Sequence, residues 1–192
     1  MPLDLIFMGP PGAGKGTQAA RVAPLHGLAH IATGDMLREA VRDGSGLGLV
    51  AKQIMARGDL VPDDVIIGMF RERLSAPDTE GGFILDGFPR TLAQAQALDI
   101  MLERRGSRID LVIRLKVDDE ALMQRVAGRF AESGRPDDNP DSFKVRLGAY
   151  NDQTAPLLPY YENQKKLLEV DGMGSIDAVA AAIDEALDEP RW

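Results

Sequence analysis

The stretch that decides the fold lies near the amino terminus, at residues 9–17, and reads Gly9-Pro10-Pro11-Gly12-Ala13-Gly14-Lys15-Gly16-Thr17. An apolar run at residues 3–8 precedes this stretch and predicts a buried strand. The residues that follow it, 18–23, predict a helix. A strand, a glycine-rich loop with a lysine and a helix together form the setting of a P-loop, which binds phosphate groups.

The chemistry of this loop favours anions. Glycine lets the backbone turn tightly and direct its N–H groups inward. The start of the helix adds about half a positive charge, and Lys15 adds a full one. The general P-loop places Ser or Thr directly after the lysine, where the hydroxyl binds Mg²⁺. Here Gly16 stands in that place and Thr17 follows, so we expect the metal to be held mainly through water and acidic side chains elsewhere.

The composition is that of one globular domain. The chain has 192 residues, of which 44% are hydrophobic, enough to form a core. Its net charge of −8 argues against nucleic-acid or anionic-membrane partners but permits a locally basic cleft. The absence of cysteine excludes disulfides, thiolate metal sites and a cysteine nucleophile. With no apolar run near the ~18 residues of a membrane span and no signal peptide, we expect a cytoplasmic enzyme.

Strands and helices are predicted to alternate along the chain. Beyond the first strand, strands are predicted at residues 28–31, 83–86, within 109–117 and at 167–170. Helices are predicted at 35–43, 47–57, from 63, at 92–105, 119–127, from 141 and at 176–187. Pro24 predicts an early or kinked end of the first helix, and Asp35 is expected to cap the second. The pattern predicts an α/β fold, with a five-stranded parallel sheet covered by helices on both faces.

Two segments are predicted to depart from this core. Residues 32–61 carry two short helices between glycines and predict a helical insert at the sheet edge. Residues 128–140 are polar and predict a loop, in which Glu132, Asp137 and Asp138 are expected to form ion pairs. The core would then comprise residues 1–31, 62–127 and 139–192.

Basic side chains stand at loops and helix starts, which is unexpected in an acidic protein. They are Lys15, Arg38, Arg90, Arg129, Arg135 and Arg146. Ligands of parallel sheets bind beyond the carboxyl ends of the strands, where we expect these cations to converge. Phosphoryl transfer needs such charge neutralisation. Asp86 ends a predicted strand opposite the P-loop and is predicted to meet Mg²⁺, through water. His26 and His30 are interpreted as loop or strand residues.

The chain resembles the adenylate kinases over essentially its whole length. The segments that carry the resemblance follow the family's order: residues 9–17, Thr33-Gly34-Asp35-Met36-Leu37-Arg38, Asp86-Gly87-Phe88-Pro89-Arg90-Thr91, Gly128-Arg129, Gly134-Arg135-Pro136-Asp137-Asp138 and Thr154-Ala155-Pro156-Leu157. The resemblance implies Mg²⁺-dependent, reversible transfer of a phosphoryl group from ATP to AMP, giving two ADP. It implies a monomer whose partners are ATP, AMP and ADP, with neither nucleic acid nor membrane among them.

The resemblance also implies roles for single residues. The ATP side would be formed by Gly12, Ala13, Gly14, Lys15, Gly16, Thr17, Arg129 and Gly174, the last near the adenine. The AMP side would be formed by Thr33, Arg38, Asp59, Leu60, Val61, Gly87, Phe88, Pro89, Arg90 and Gln94. Arg135 and Arg146 would close over both phosphate chains, and Arg90 would bridge them. Residues 32–61 would bind the nucleoside monophosphate, and 128–138 would form a short lid without cysteine, so no zinc is expected.

Three alternatives share parts of this pattern. A pyrimidine nucleoside monophosphate kinase would have the same fold and a short lid, but that group usually carries alanine where Thr33 stands and asparagine where Thr91 stands. A small GTPase would need a guanine-reading Asn-Lys-x-Asp motif, which the sequence lacks. A nucleotide-sensing module without catalysis should lose the phosphate-clamping arginines.

The side chain of Gln94 favours adenine as the base of the acceptor. Its amide offers both a hydrogen-bond donor and an acceptor, which matches the edge of adenine.

Overall fold

A five-stranded parallel sheet forms the centre of the computed structural model, which describes residues 2–133 and 138–188. The strands are β1 (Leu3–Met8), β2 (Ala29–Ala32), β3 (Gly82–Asp86), β4 (Leu111–Lys116) and β5 (Leu167–Asp171). Their order across the sheet is β2-β3-β1-β4-β5, and every pairing is parallel. Since β1 is central, the P-loop that follows it starts at the middle of the carboxyl edge.

Both faces of the sheet are covered, because β1 alternates its side chains between two apolar clusters. Leu5 and Phe7 pack with residues of α1 (Lys15–His26), α6 (Asp119–Ser133) and α9 (Ile176–Asp188). Ile6 and Met8 pack with residues of α4 (Asp63–Arg73), α5 (Leu92–Arg105) and α8 (Leu157–Glu162). All four side chains are at most 2% exposed. The predicted α/β fold with helices on both faces is confirmed.

The remaining helices are α2 (Thr33–Arg42), α3 (Gly46–Arg57) and α7 (Pro140–Ala149), together with a 3₁₀ turn at Pro77–Thr79 and a π-helical turn at Tyr150–Thr154. Several predicted ends are confirmed. Gly58 and Gly106 end α3 and α5 in the left-handed conformation that glycine favours. The Thr91 hydroxyl accepts a hydrogen bond from the Gln94 N–H and so caps α5. Neither α8 nor the π-helical turn was predicted, because both are short.

Two predictions about helix ends in the first part of the chain are wrong. The first helix does not end early: α1 continues through Pro24 to His26 and ends at Gly27, whose φ is 65°. Proline lacks an N–H and so removes one hydrogen bond from the helix, yet Val22 and Ala23 are buried in the core beside it and α1 continues for one more turn. Asp35 does not cap α2 either, because α2 begins at Thr33 directly after β2 and has no side-chain cap. The Asp35 carboxylate instead accepts a hydrogen bond from Arg38, at 2.6 Å.

The polar loop predicted from residue 128 begins later than expected. Helix α6 runs to Ser133 rather than ending near Ala127. A single glycine within a helix costs only about 1 kcal/mol, and the following Arg129 and Ala131 favour helix, so Gly128 does not stop it. Arg135 and Asp137 lie outside the described residues.

At the opposite end of the sheet, Asp4 in β1 is 3% exposed. Burial, with the nearby charge of Asp110, raises the pKa of Asp4 to about 6. An aspartate in the unfolded chain has a pKa of about 3.9. Between about pH 3.9 and pH 6 the folded protein therefore binds a proton at Asp4 that the unfolded chain releases. The stabilisation is therefore complete below pH ~4 and is lost as the pH rises through 6.

We expect Asp4→Asn to raise the free energy of unfolding at pH 7.5 by about 1–3 kcal/mol. The asparagine needs no charge in the core, so its advantage should shrink toward pH 4. Urea denaturation at pH 7.5 and pH 4.5 measures both values. The exposed Asp152, changed to asparagine, serves as the control and should have no effect. A destabilised Asp4→Asn protein at pH 7.5 would contradict the prediction.

Candidate active site

A cavity of about 430 Å³ opens beyond the carboxyl edge of the sheet, beside the P-loop. Its walls come from the P-loop, the starts of α1 and α2, the end of α3, the turn after β3 and residues of α6 and α7. The predicted site residues that line it are Gly12, Gly14, Lys15, Gly16, Thr17, Thr33, Arg38, Asp59, Leu60, Val61, Asp86, Gly87, Arg90, Gln94, Arg129 and Arg146. The structure thus gathers five of the six predicted cations around one space.

Other predicted site residues lie apart from this cavity. Ala13 is buried beneath the loop, and Phe88 is buried with its ring stacked on Phe70 at 3.9 Å. Pro89 borders a smaller neighbouring cavity, and Gly174 lies in the turn between β5 and α9. Arg135 lies outside the described residues.

The P-loop backbone depends on glycine at two positions. Gly12 and Gly14 have φ values of 87° and 97°, which other residues rarely adopt. A β-carbon on Gly12 would also lie 2.9 Å from Val126 Cγ2 and 3.1 Å from the Leu122 carbonyl oxygen. Helix α1 starts at Lys15 with neither a side-chain cap nor an acid in its first turn. Its positive end is therefore available to an anion.

Lys15 turns back onto its own loop. Its Nζ donates to the carbonyl oxygens of Gly9 and Pro10, at 2.8 and 3.1 Å. Burial lowers the pKa of Lys15 to about 8; Asp86 opposes this shift, whereas Arg90 and other arginines add to it. An anion bound in the cavity would favour the charged ammonium.

Asp86 ends β3 on the floor of the cavity. A β-carbon at Gly16 would lie 3.1 Å from Asp86 Oδ2, so the glycine leaves room for this carboxylate beside the P-loop. Burial alone would raise the pKa of Asp86. Three neighbouring basic residues, His30, Lys15 and Arg90, nevertheless hold this pKa below its usual value. The Nε2 atom of His30 lies 3.8 Å from Asp86 Oδ2. The carboxylate is therefore ionised at neutral pH.

Asp86 can bind Mg²⁺ only together with ligands from other sources, such as phosphates and water. Mg²⁺ is commonly bound by one or two carboxylates together with substrate phosphates and waters. Asp86, beside the P-loop, fits that arrangement. Within residues 2–133 and 138–188, no three His, Cys, Asp or Glu side chains are grouped as a metal site, so a site made by the protein alone is not seen there.

A buried carboxylate holds two of the cavity's arginines. Asp138 accepts two hydrogen bonds from Arg129, at 2.5 and 2.6 Å, and one from Arg146 at 2.9 Å. Its side chain is completely buried. Although burial raises it, the two guanidinium groups hold the pKa of Asp138 below its usual value. The expected ion pairing of Asp138 is confirmed, but its partners lie on α6 and α7, whereas Glu132 is exposed.

On the opposite wall, Arg90 is fixed at three points. Its Nε donates to the Gly87 carbonyl at 2.8 Å, its own carbonyl accepts from Thr154 Oγ1 at 2.9 Å, and its backbone N–H donates to Gln94 Oε1 at 2.8 Å. Thr33 Oγ1 donates to the Asp86 carbonyl at 3.3 Å. These bonds join the turn after β3 to α2, α5 and the π-helical turn.

Three residues at or beside the cavity were not predicted as site residues: His30, Arg125 and Asp63. Arg125 donates to the Gly172 carbonyl at 2.8 Å and the Ala13 carbonyl at 3.4 Å, which connects the P-loop to the turn after β5. It stands four residues before Arg129, on the same helical face, and that spacing could have identified it. His30 lines the cavity from β2. Asp63 bonds to Gln94, and no sequence pattern indicated that pairing.

In the described part of the chain, no helix is long and apolar enough to cross a bilayer.

Comparison with known proteins gives a consistent set of relatives. A family model described as adenylate kinase matches residues 7–166. An adenylate kinase of Phenylobacterium zucineum (strain HLK1) is 66% identical over 185 residues, which cover 96% of this chain and 97% of the relative. One of Caulobacter vibrioides (strain NA1000 / CB15N) is 57% identical, covering 97% of both chains. One of Xanthomonas campestris pv. campestris (strain 8004) is 52% identical, covering 96% of this chain and 99% of the relative.

Proposed function

The chain belongs to the adenylate kinase family, and from that premise we propose how its own residues divide the reaction between them. The enzyme transfers the terminal phosphoryl group of ATP to AMP and gives two ADP, reversibly. One observation carries the assignment of residues: Lys15, Arg90, Arg129, Arg146 and Asp86 surround a single cavity next to the P-loop.

Residues 12–17 form the donor side of the proposal. The backbone N–H groups at the start of α1 bind the ATP phosphates, and Lys15 exchanges its two carbonyl partners for phosphate oxygens. Arg129 lies against the same phosphates, and Gly174 lies near the adenine. Phosphoryl transfer asks little covalent chemistry of the protein. Preorganised cations that neutralise the developing charge supply most of the rate enhancement.

The acceptor side is proposed on the wall formed by α2, the end of α3 and the turn after β3. Thr33, Arg38, residues 59–61 and Gly87 surround AMP, and Phe88 and Pro89 shape the turn behind them. Gln94 faces the adenine. Arg90 and Arg146 line both the main cavity and its smaller neighbour, where they can contact donor and acceptor phosphates together. Arg135 is proposed to join them.

Mg²⁺ bound with ATP would supply further charge neutralisation at the phosphates. Asp86 is the residue proposed to hold it, through water, because its carboxylate is ionised beside the P-loop and Gly16 leaves room there. No zinc is proposed, since the chain has no cysteine for a thiolate site. We propose that the enzyme acts as a monomer in the cytoplasm, with ATP, AMP and ADP as its partners.

Residues 32–61 and 128–138 are proposed to close over the substrates. Arg38 is in the first of these segments and Arg129 is in the second, so closure would bring both guanidinium groups onto phosphates. It would also exclude water, which would otherwise hydrolyse ATP. The rest of the chain, residues 1–31, 62–127 and 139–192, would stay as the core.

We expect AMP to be the preferred acceptor by roughly 10²- to 10⁴-fold in kcat/KM over UMP and CMP. A base that leaves the polar groups of Thr33 and Gln94 unpaired forfeits about 1–3 kcal/mol for each group. Initial rates with AMP, UMP, CMP and GMP at fixed Mg·ATP measure the preference. Comparable efficiency with UMP would move the chain to the pyrimidine kinases, and binding of ATP without any turnover would favour a sensing module.

A further inference from the structure

We propose that Asp63 is a positioning residue that fixes the amide orientation of Gln94 and thereby sets the choice of acceptor base. Asp63 is the first residue of α4 and is half-buried behind the wall of the cavity. The inference rests on the proposed function, in which Gln94 faces the base of the acceptor nucleotide. It assigns Asp63 no contact with substrate.

The Asp63 carboxylate joins the starts of two helices. Its Oδ1 accepts a hydrogen bond from Gln94 Nε2 at 2.7 Å, and its Oδ2 accepts one from Thr91 Oγ1 at 2.9 Å. The Thr91 hydroxyl in turn accepts from the Gln94 backbone N–H at 3.2 Å and caps α5. Both carboxylate oxygens are therefore directed at the turn that carries Gln94.

Two partners impose one orientation on the Gln94 amide. An ionised carboxylate can only accept hydrogen bonds, so Asp63 requires the amide NH₂ on its side. A backbone N–H can only donate, so Arg90, at 2.8 Å, requires the amide oxygen on the other. Gln94 is 2% exposed, so water offers the amide little alternative. Rotating the amide by 180° would break both bonds.

The fixed amide has one N–H and one lone pair left for a ligand. On its Watson–Crick edge, adenine presents an exocyclic amine, which donates, beside the ring nitrogen N1, which accepts. Hypoxanthine has a carbonyl and a ring N–H in those places, and so the reversed pattern. An amide locked in one orientation can match only one of the two bases, whereas an amide free to rotate can match either.

Asp64 offers a matched control within the same turn of α4. Both acids complement the positive end of this helix to a similar degree. Asp64 is exposed, whereas Asp63 holds Thr91 and Gln94. A change that acted only through the helix or through net charge would therefore affect both positions alike.

The test compares AMP with inosine monophosphate as acceptors, at fixed Mg·ATP, in Asp63→Ala and Asp64→Ala. Alanine offers Gln94 no hydrogen-bond partner, whereas asparagine would still offer an acceptor. We expect Asp63→Ala to reduce the AMP-to-inosine-monophosphate ratio of kcat/KM by about tenfold, the scale of one hydrogen bond. The KM for AMP should rise while kcat is largely kept. Asp64→Ala should leave the ratio unchanged. An unchanged ratio in folded Asp63→Ala protein would overturn the inference.

Two further variants make the result decisive. If Asp63→Ala does not fold, Asp63→Ser replaces it, because serine is favoured at a helix start but its shorter side chain removes the carboxylate from Gln94: a reduced ratio supports the inference and an unchanged ratio overturns it. Gln94→Ala tests the proposed function separately. An unchanged ratio in Gln94→Ala would refute the acceptor pocket itself, whereas a reduced ratio there with no effect of Asp63→Ala would refute the role of Asp63 alone.

Discussion

Lys15→Ala should lower kcat by at least ~10²-fold, because a preorganised cation is worth most where charge develops in the transition state. The fold should survive, since the side-chain hydrogen bonds of Lys15 to other described residues go to two carbonyl groups of its own loop, those of Gly9 and Pro10. Steady-state rates with saturating Mg·ATP and AMP measure the loss. Lys52→Ala, on α3 and exposed, is the control and should keep full activity.

The same substitution should stabilise the free enzyme. The pKa of Lys15 is about 8 in the folded protein, below the value of about 10.4 for an unfolded lysine. Folding therefore disfavours the charged form, and this penalty is complete below pH 8 and relieved as the pH rises toward 10. We expect the free energy of unfolding of the Lys15→Ala protein to exceed that of the wild type by about 1–2 kcal/mol at pH 7. The difference should be smaller at pH 9.5. A variant with near-normal kcat would refute the assignment of the P-loop.

Asp138→Ala should be the most destabilising of the substitutions considered for the site. Removing one partner of a buried ion pair commonly costs 3–5 kcal/mol. Because Arg129 is 37% exposed and can regain water, we expect a loss of about 2–4 kcal/mol in the free energy of unfolding. Turnover should fall as well, since Arg129 and Arg146 lose the carboxylate that holds them at the cavity.

Urea denaturation at pH 7.5 measures this loss, with the exposed Asp141, changed to alanine, as the control. The lowered pKa of Asp138 means that its stabilisation is present above the usual aspartate range and is lost as the pH falls through the folded value. The difference in the free energy of unfolding between the Asp138→Ala protein and the wild type should therefore become smaller at acidic pH. If the Asp138→Ala protein were as stable as the wild type at pH 7.5, Arg129 and Arg146 would not need the carboxylate as a partner, and the prediction would be wrong.

The sheet and most helix ends followed from local signals. Alternating strands and helices predicted the parallel sheet. The predicted ranges 47–57 and 92–105 agree with α3 and α5, because Gly58, Gly106 and Thr91 act on their immediate neighbours in sequence. Pro24 and Gly128 misled for a related reason. Each weakens a helix locally, but the weakening is too small to end a helix that the rest of the chain supports.

The site divides in the same way. The P-loop, Asp86 and most of the arginines were identifiable because each stands in a short motif or at a strand end. The bonds that orient them were not, because they join residues far apart in sequence: Asp63 and Gln94 are 31 positions apart, and Arg125 and Gly172 are 47. A single sequence carries no local signal for such pairs.

The central place of β1 has a consequence for synthesis of the chain on the ribosome. This strand is synthesised before the strands that flank it, β3 and β4, which end only at Asp86 and Lys116. At about 5–20 residues per second, the nascent chain holds its most apolar strand without either neighbour for several seconds. The P-loop at Gly12 lies against Leu122 and Val126 of α6, which follow β4 in the chain, so we expect nucleotides to assist only the later steps of folding. Chaperones that shield apolar segments should therefore act on this protein before its ligands can.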